Sequence, residues 1–323
     1  MDTFERILII QTAFLGDVIL ATALLEKLRT HYPKAELDML VRRGNEILLE
    51  GHPFLHKVWV FDKQEKTRSL RHLIGQVRRQ RYDLVVNAQR FFSSGLIAVL
   101  SGARHVVGYD KNPLSFGFSR RVVHRVGDGT HEVVRNQQLI AHLTDSQPAR
   151  PRLYPGEAAL AKVPQNKAYV TIAPTSVWFT KQWPADRWVG LVNRFPADLT
   201  IYLLGGPGDR QACAKIQEAA QHPNVWNKAG ELSLLDSAAF MASAKMNYAN
   251  DSAPVHLASA MNAPITVVFC STVPAFGFTP LSDQHKIVEY AGDLACRPCG
   301  LHGHQACPEG HFKCARIDPK RVQ

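Results

Sequence analysis

Short runs of apolar, β-branched residues alternate with stretches of helical period, and this alternation occurs twice along the chain. Residues 6–12 (RILIIQT) form the first run. It is too short for a buried helix and rich in β-branched residues, so it reads as a buried strand. Residues 17–29 then place Val18, Ala21, Leu24, Leu25 and Leu28 at helical spacing. Residues 36–41, 58–61, 84–88 and 105–109 read as further strands, with helical stretches between several of them. Successive strands joined through helices pair in parallel, and the helices cover both faces of the sheet. Residues 147–167 break the pattern with Pro148, Pro151, Pro155, Gly156 and Pro164, the composition of a linker. The alternation restarts with strands at 168–173, 199–205, 245–249 and 264–269 and helices at 188–195, 209–220, 234–244 and 255–261. The expected architecture is α/β: two doubly wound, parallel-sheet domains, 1–150 and 151–323, each offering the loops at its strand carboxyl ends to a cleft.

A chain of 323 residues with 46% hydrophobic composition is long enough for two cores. No run approaches the ~20 apolar residues of a membrane span. The amino terminus, Met1-Asp2-Thr3-Phe4-Glu5-Arg6, lacks the basic and apolar regions of a secretory signal. A cytoplasmic protein is expected. The net charge of +10 is concentrated: residues 57–125 carry 14 Lys and Arg against 4 Asp and Glu, and the rest of the chain is balanced. Such a local excess suits a phosphorylated sugar or an anionic lipid, or else is simply a solvated basic helix at 66–81. No helix-turn-helix, zinc-finger or RNA-recognition pattern accompanies it, so nucleic acid is not expected.

Four segments carry candidate chemistry, each where a strand gives way to a helix. In Thr12-Ala13-Phe14-Leu15-Gly16-Asp17-Val18, Gly16 allows a tight turn and Asp17 opens the helix. Its carboxylate either takes a proton from an acceptor hydroxyl or caps the helix. The dinucleotide fingerprint G-x-G-x-x-G is absent, which removes the main support for a nicotinamide enzyme. In 173–184 (APTSVWFTKQWP), Thr175, Ser176 and Thr180 with Lys181 form a candidate phosphate cradle. In Gly205-Gly206-Pro207-Gly208-Asp209, Asp209 holds a ribose diol or caps the next helix. In 250–257 (NDSAPVHL), Asp251 stands to bind sugar hydroxyls. The backbone amides of Ser252, Ala253 and Val255 stand to meet a diphosphate, and His256 bonds a phosphate oxygen or packs internally.

Together, LGDVILATALLEKLR from Leu15, TKQWP from Thr180 and NDSAPVHLASAMNAPITVVF from Asn250 resemble glycosyltransferase family 9, the ADP-heptose:lipopolysaccharide heptosyltransferases, over nearly the whole chain. The resemblance implies the GT-B architecture, with the acceptor on the N-terminal domain and the nucleotide-sugar on the C-terminal one. It also implies transfer with inversion that requires no metal cofactor. By that resemblance Asp17 is the general base, Lys181 the diphosphate lysine and Asp209 the acidic ribose ligand. Asp251, Ser252, Ala253 and His256 fill the family's Asp-Thr/Ser-Gly-x-x-His segment, with Ala253 in place of the usual glycine. Thr175 likewise replaces a glycine or alanine, and the family's long C-terminal helix is short or missing. The implied partners are an ADP-sugar donor and an anionic lipopolysaccharide-core acceptor, met at the inner face of the inner membrane. Gly16, Arg78, Arg79, Arg81 and Arg90 are expected on the acceptor side. A GT-B sugar-nucleotide epimerase and a non-catalytic sugar-nucleotide-binding protein are the rival readings.

The tail holds Cys296, Cys299, Cys307 and Cys314, with His302, His304 and His311 among them. Cys296 and Cys299 have the C-x₂-C spacing of a zinc knuckle, whereas Cys307 and Cys314 are more widely spaced than is common. A structural zinc ion, disulfides and free thiols all remain open for this segment.

Overall fold

The computed structural model describes residues 3–165 and 168–323, except for the side chain of Lys66. Met1 and Asp2, at the start of the expected non-signal terminus, and Asn166 and Lys167, at the end of the expected linker, lie outside the described residues. The chain divides into two compact units, Met1–Tyr154 and Pro155–Gln323.

The first unit is a six-stranded parallel sheet. Its strands are β1 (Arg6–Ile10), β2 (Glu36–Arg42), β3 (Leu55–Phe61), β4 (Leu84–Asn87), β5 (His105–Tyr109) and β6 (Arg120–Val122), in the order β3-β2-β1-β4-β5-β6. Helices α1 (Leu15–His31), α2 (Lys66–Arg79), α3 (Phe92–Leu100) and α4 (Glu132–Ile140) complete it. β1 is central, and Ile7, Leu8, Ile9 and Ile10 are fully buried. α1 buries Val18 through Leu25 without a break, as a helix covered on all sides does. It starts two residues earlier than its apolar spacing suggests. Gly16 is therefore helical, inside the first turn, and does not form the turn itself.

The second unit repeats the plan. After the short α5 (Glu157–Leu160) come β7 (Tyr169–Ala173), α6 (Ala185–Val192), β8 (Thr200–Leu203), α7 (Arg210–Ala219), β9 (Val225–Asn227) and α8 (Leu234–Ser243). Then follow β10 (Met246–Asn250), α9 (Ala253–Ala260), β11 (Ile265–Phe269), β12 (His285–Glu289) and α10 (Pro319–Val322). The parallel strand order is β12-β11-β10-β7-β8-β9. Read from β9, this is the order of the first unit: third, second, first, fourth, fifth, sixth. Each unit therefore has its topological switch point between its first and fourth strands, where open α/β sheets bind ligands.

The edge strands β6, β9 and β12 are not legible as apolar runs. They are short, and each has a solvated side, as the burial of Arg120–Val122 and Val225–Asn227 shows. The C-terminal helix has four residues, with Val322 and the preceding Ile317 buried in the unit's core.

Candidate functional site

In the first unit the switch point is framed by the segments after β1 and β4. Two glutamines lock these segments together: Gln11 Nε2 donates to the Ala88 carbonyl at 3.0 Å, and Gln89 Nε2 donates to Gln11 Oε1 at 2.6 Å. Both are buried. Asp17 lies in the first turn of α1 and is half-buried. Burial raises its carboxyl above the ordinary range, opposed by bonds from the Phe14 and Asp17 backbone amides and by the charges of Arg90 and Arg135. Phe14 is the N-cap of α1 and Asp17 stands three residues after it, the position from which a carboxylate favours the helix start. That placement does not preclude proton transfer.

Behind Asp17 lies a buried polar floor. Arg135 Nε meets Glu132 Oε2 at 2.8 Å, both side chains being almost fully enclosed, and Arg135 also donates to the Thr130 carbonyl. Burial pushes the Glu132 carboxyl up to about 7 despite Arg135, with the Asp17 charge adding to the rise. Tyr109 donates to Asn136 Oδ1 at 2.8 Å and packs edge-on against His124, whose imidazole burial pushes down to about 4. Sequence reasoning singled out none of Gln11, Gln89, Glu132 or Arg135. Only Gln11 and Gln89, just after β1 and β4, had a strand end to point to them; Glu132 and Arg135 lie within α4.

The expected acceptor arginines separate into two groups. Arg90 follows β4 and is exposed on the same sheet edge as Asp17. Arg78, Arg79 and Arg81 are also exposed, but they lie where α2 ends, beside the amino end of the sheet: Arg6 Nη1 donates to the Gln80 carbonyl at 3.0 Å and the Asp83 amide to the Arg6 carbonyl at 2.9 Å. The five residues of β1 stand between them and the Asp17 edge, roughly 15 Å of strand. The structure thus does not bring Arg78, Arg79 and Arg81 together with Asp17. Charge density along the sequence identified a basic face but not which end of the sheet it occupies.

In the second unit the switch point brings the segments after β7 and β10 together. Lys181 Nζ is 2.7 Å from Asp251 Oδ2, and Thr272 Oγ1 donates to the same oxygen at 2.6 Å. Asp251 is buried, and the Lys181 side chain keeps 15% of its surface. The buried Asn250 straps the two segments: its Oδ1 accepts from the Trp183 amide at 2.8 Å and its Nδ2 donates to the Pro174 carbonyl at 2.7 Å. Asn250 and Thr272 were not assigned roles from the sequence.

The other expected donor residues fare differently. Thr175 and Ser176 are half-buried in the segment after β7. Thr180 is not an open phosphate ligand. It is 1% exposed, and its hydroxyl already accepts from the His304 amide at 2.8 Å and from the Ser271 hydroxyl at 3.1 Å. Its amide donates back to the His304 carbonyl at 3.0 Å, so Thr180 clamps the tail beneath the Lys181 turn. Ser252 precedes α9, and its side chain does not cap the helix. The Val255 amide, expected to face a diphosphate, donates to the Ser252 carbonyl at 3.0 Å. Ala253 and Pro254 form the helix start. His256 is buried, with its ring edge-on to Phe278. Asp209 Oδ2 accepts from the Gly206 amide at 2.8 Å, the capping role. A Cβ on Gly205 would lie 2.7 Å from Asp209 Cβ, so the turn requires glycine there.

The tail packs against this unit through Arg297, which donates to the Cys270 and Thr272 carbonyls at 2.7 Å each and meets Glu289 Oε1 at 2.5 Å. Cys296, Cys299, Cys307 and Cys314 line one cavity of about 10 Å³ with His311, and all are free thiols. Among the described residues, no three His, Cys, Asp or Glu side chains stand close enough together to hold a metal ion. A structural zinc ion therefore has no support in the geometry of the tail.

Residues 70–307 match the model of glycosyltransferase family 9 (heptosyltransferase), more than half of the chain. The chain belongs to this family, and it is a glycosyltransferase. A lipopolysaccharide heptosyltransferase 3 of Escherichia coli is 28% identical over 305 residues, 88% of each chain. The structure of an E. coli ADP-heptose lipopolysaccharide heptosyltransferase II superposes with a TM-score of 0.79 at 22% identity, covering 98% of this chain and 96% of that one. An E. coli heptosyltransferase solved with ADP-2-deoxy-2-fluoro heptose gives a TM-score of 0.72 at 20% identity, covering 89% and 94%. These likenesses establish the fold as that of the GT-B glycosyltransferases. Among the described residues no helix is long and apolar enough to cross a membrane.

Proposed function

We propose that this glycosyltransferase transfers a heptose from an ADP-sugar to the inner core of lipopolysaccharide, with inversion at the anomeric carbon. The observation that carries the donor side is the Lys181–Asp251 pair at the switch point of the second unit, next to the start of α9. An ammonium held at this position offers its remaining protons to a diphosphate, and a helix start favours the same charge. Support for heptose and ADP comes from the names of the relatives: the 28% identical protein is a lipopolysaccharide heptosyltransferase, and a fold neighbour holds an ADP-heptose analogue.

The proposed chemistry is a single displacement. An acceptor hydroxyl attacks the anomeric carbon while Asp17 takes its proton. The bond to the leaving phosphate breaks, and the nucleoside diphosphate gains negative charge that Lys181 and the start of α9 stabilise. Arg90, on the Asp17 edge, holds an anionic group of the acceptor. The same arrangement serves the acceptor side of the first unit and the donor side of the second, each at its own switch point. Charge on the leaving group is met by Lys181 and by backbone dipoles, so the reading expects transfer to persist in a chelator.

Transfer assays with ADP-, GDP- and UDP-activated sugars on lipopolysaccharide truncated before its heptoses test the reading. Addition of heptose from the ADP-sugar is expected. Interconversion of the free nucleotide-sugar without an acceptor would instead make the protein an epimerase, and binding without turnover would make it a non-catalytic carrier.

A further inference from the structure

Trp178, Trp183 and Trp188 all lie between β7 and the end of α6, and the core takes in only two of them. Trp183 and Trp188 are 1% and 0% exposed and meet edge-on at 4.8 Å in the core of the second unit. Trp178 is only half-buried, and its neighbours Val177 and Phe179 are 72% and 44% exposed. His302 of the tail lies near-parallel to the indole, with ring centroids 6.4 Å apart and planes 20° apart. The backbone on this side is braced: Gln305 Nε2 donates to the Val177 carbonyl at 3.1 Å and Gln182 Nε2 to the Ser176 carbonyl at 2.7 Å. Both ring-bearing residues border Lys181. The Lys181 amide donates to the Trp178 carbonyl at 3.0 Å, and a Cβ on Gly303, next to His302, would lie 3.2 Å from Lys181 Cγ.

We propose that Trp178, steadied by His302, is the platform for the sugar ring of the donor and makes the site prefer a nucleoside diphosphate that carries a sugar over one that does not. The inference rests on the reading of Lys181 as the diphosphate lysine. A donor sugar begins one oxygen beyond the distal phosphate, so it lies beside the turn that carries Trp178. A pyranose has hydroxyls at its rim and C–H bonds on its faces. Such a face leaves water against an aromatic ring while the rim keeps its hydrogen bonds. An indole held by a braced backbone and a second ring loses little freedom on binding. Adenine is the other flat group of the donor, but the ribose and the rest of the diphosphate separate it from the distal phosphate.

The test is titration calorimetry of the whole chain with ADP and with ADP-heptose, for the wild type, Trp178→Ala, Trp178→Leu and Trp178→Phe. Trp178→Ala and Trp178→Leu are expected to weaken ADP-heptose binding about ten-fold and to bind ADP as the wild type does. Trp178→Phe keeps a flat ring and should recover most of the loss. Full affinity for ADP-heptose in Trp178→Leu would reduce the indole to apolar packing and overturn the proposal. Equal losses for ADP and ADP-heptose would overturn it too, since the ring would then serve adenine or the Lys181 turn. Should the wild type take GDP- or UDP-sugars instead, the same comparison is made with that nucleotide. A loss confined to its sugar-bearing form would uphold the platform and sink the ADP-heptose reading. A wild type that binds none of these ligands would overturn both.

Discussion

Lys181 Nζ lies 2.7 Å from Asp251 Oδ2, joining the segment after the first strand of the second unit to the segment after its fourth. The pair is enclosed, and Thr272 supplies a second hydrogen bond to the same carboxylate oxygen. Two jobs are thereby combined: the pair fixes the switch-point segments, and it holds an ammonium where a diphosphate is expected.

Separating these jobs is the first prediction. Lys181→Ala leaves Asp251 charged and unpaired in a buried place, which costs about 3 kcal/mol of stability. Lys181→Ala combined with Asp251→Asn should recover much of that loss, because the orphaned charge is gone. Donor affinity and transfer should stay low in both. Thermal unfolding and titration calorimetry with ADP-sugar check this. A double variant with restored donor binding would place the diphosphate elsewhere.

Arg90 and the arginines of α2 provide the second prediction. Arg90→Gln removes a cation that lowers the Asp17 carboxyl. The acid limb of kcat/KM should therefore shift to higher pH, and KM for the acceptor should rise. Reversal of Arg78, Arg79 and Arg81 to Glu should leave both unchanged, since these side chains stand at the other end of the sheet. Acceptor kinetics at low salt, where surface charge acts furthest, distinguish the two sets.

Glu132 gives a prediction about stability. Its carboxyl is raised from an ordinary 4.5 to about 7 by burial. The folded state thus binds this proton more tightly than the unfolded chain. The resulting stabilisation is complete below pH 4.5 and is lost as pH rises through about 7. Relative to Glu132→Gln, the wild type should lose melting temperature steadily across this window. Parallel curves for the two proteins would show that Glu132 is ionised throughout, paired with Arg135.

Much of this architecture was readable from the chain because central parallel strands must be apolar on both faces. β1, β7 and β11 stand out as uninterrupted runs for that reason. β6, β9 and β12 border solvent on one side, so their patterns dissolve into the surrounding polar residues. The positions of Asp17, Lys181 and Asp251 were legible because each follows a strand at a switch point. What the sequence could not convey is which hydroxyls and amides are already spent. Thr180 looks like a phosphate ligand until its bonds to His304 and Ser271 are seen. Val255 looks like an amide donor until it is found bonded to the Ser252 carbonyl. Likewise, the shared strand order of the two units emerges only from the pairing of strands, since no residue-by-residue repeat accompanies it.

The general-base assignment is the centre of the account, and Asp17→Asn tests it most directly. The amide keeps the size of the side chain and an oxygen able to accept from the Phe14 amide, but it takes up no proton at neutral pH. Single-turnover transfer from ADP-heptose to truncated lipopolysaccharide should slow by a factor of about 10² to 10⁴, with the donor dissociation constant and the melting temperature close to those of the wild type. A near-normal single-turnover rate in Asp17→Asn would contradict the account and leave Asp17 as the cap of α1.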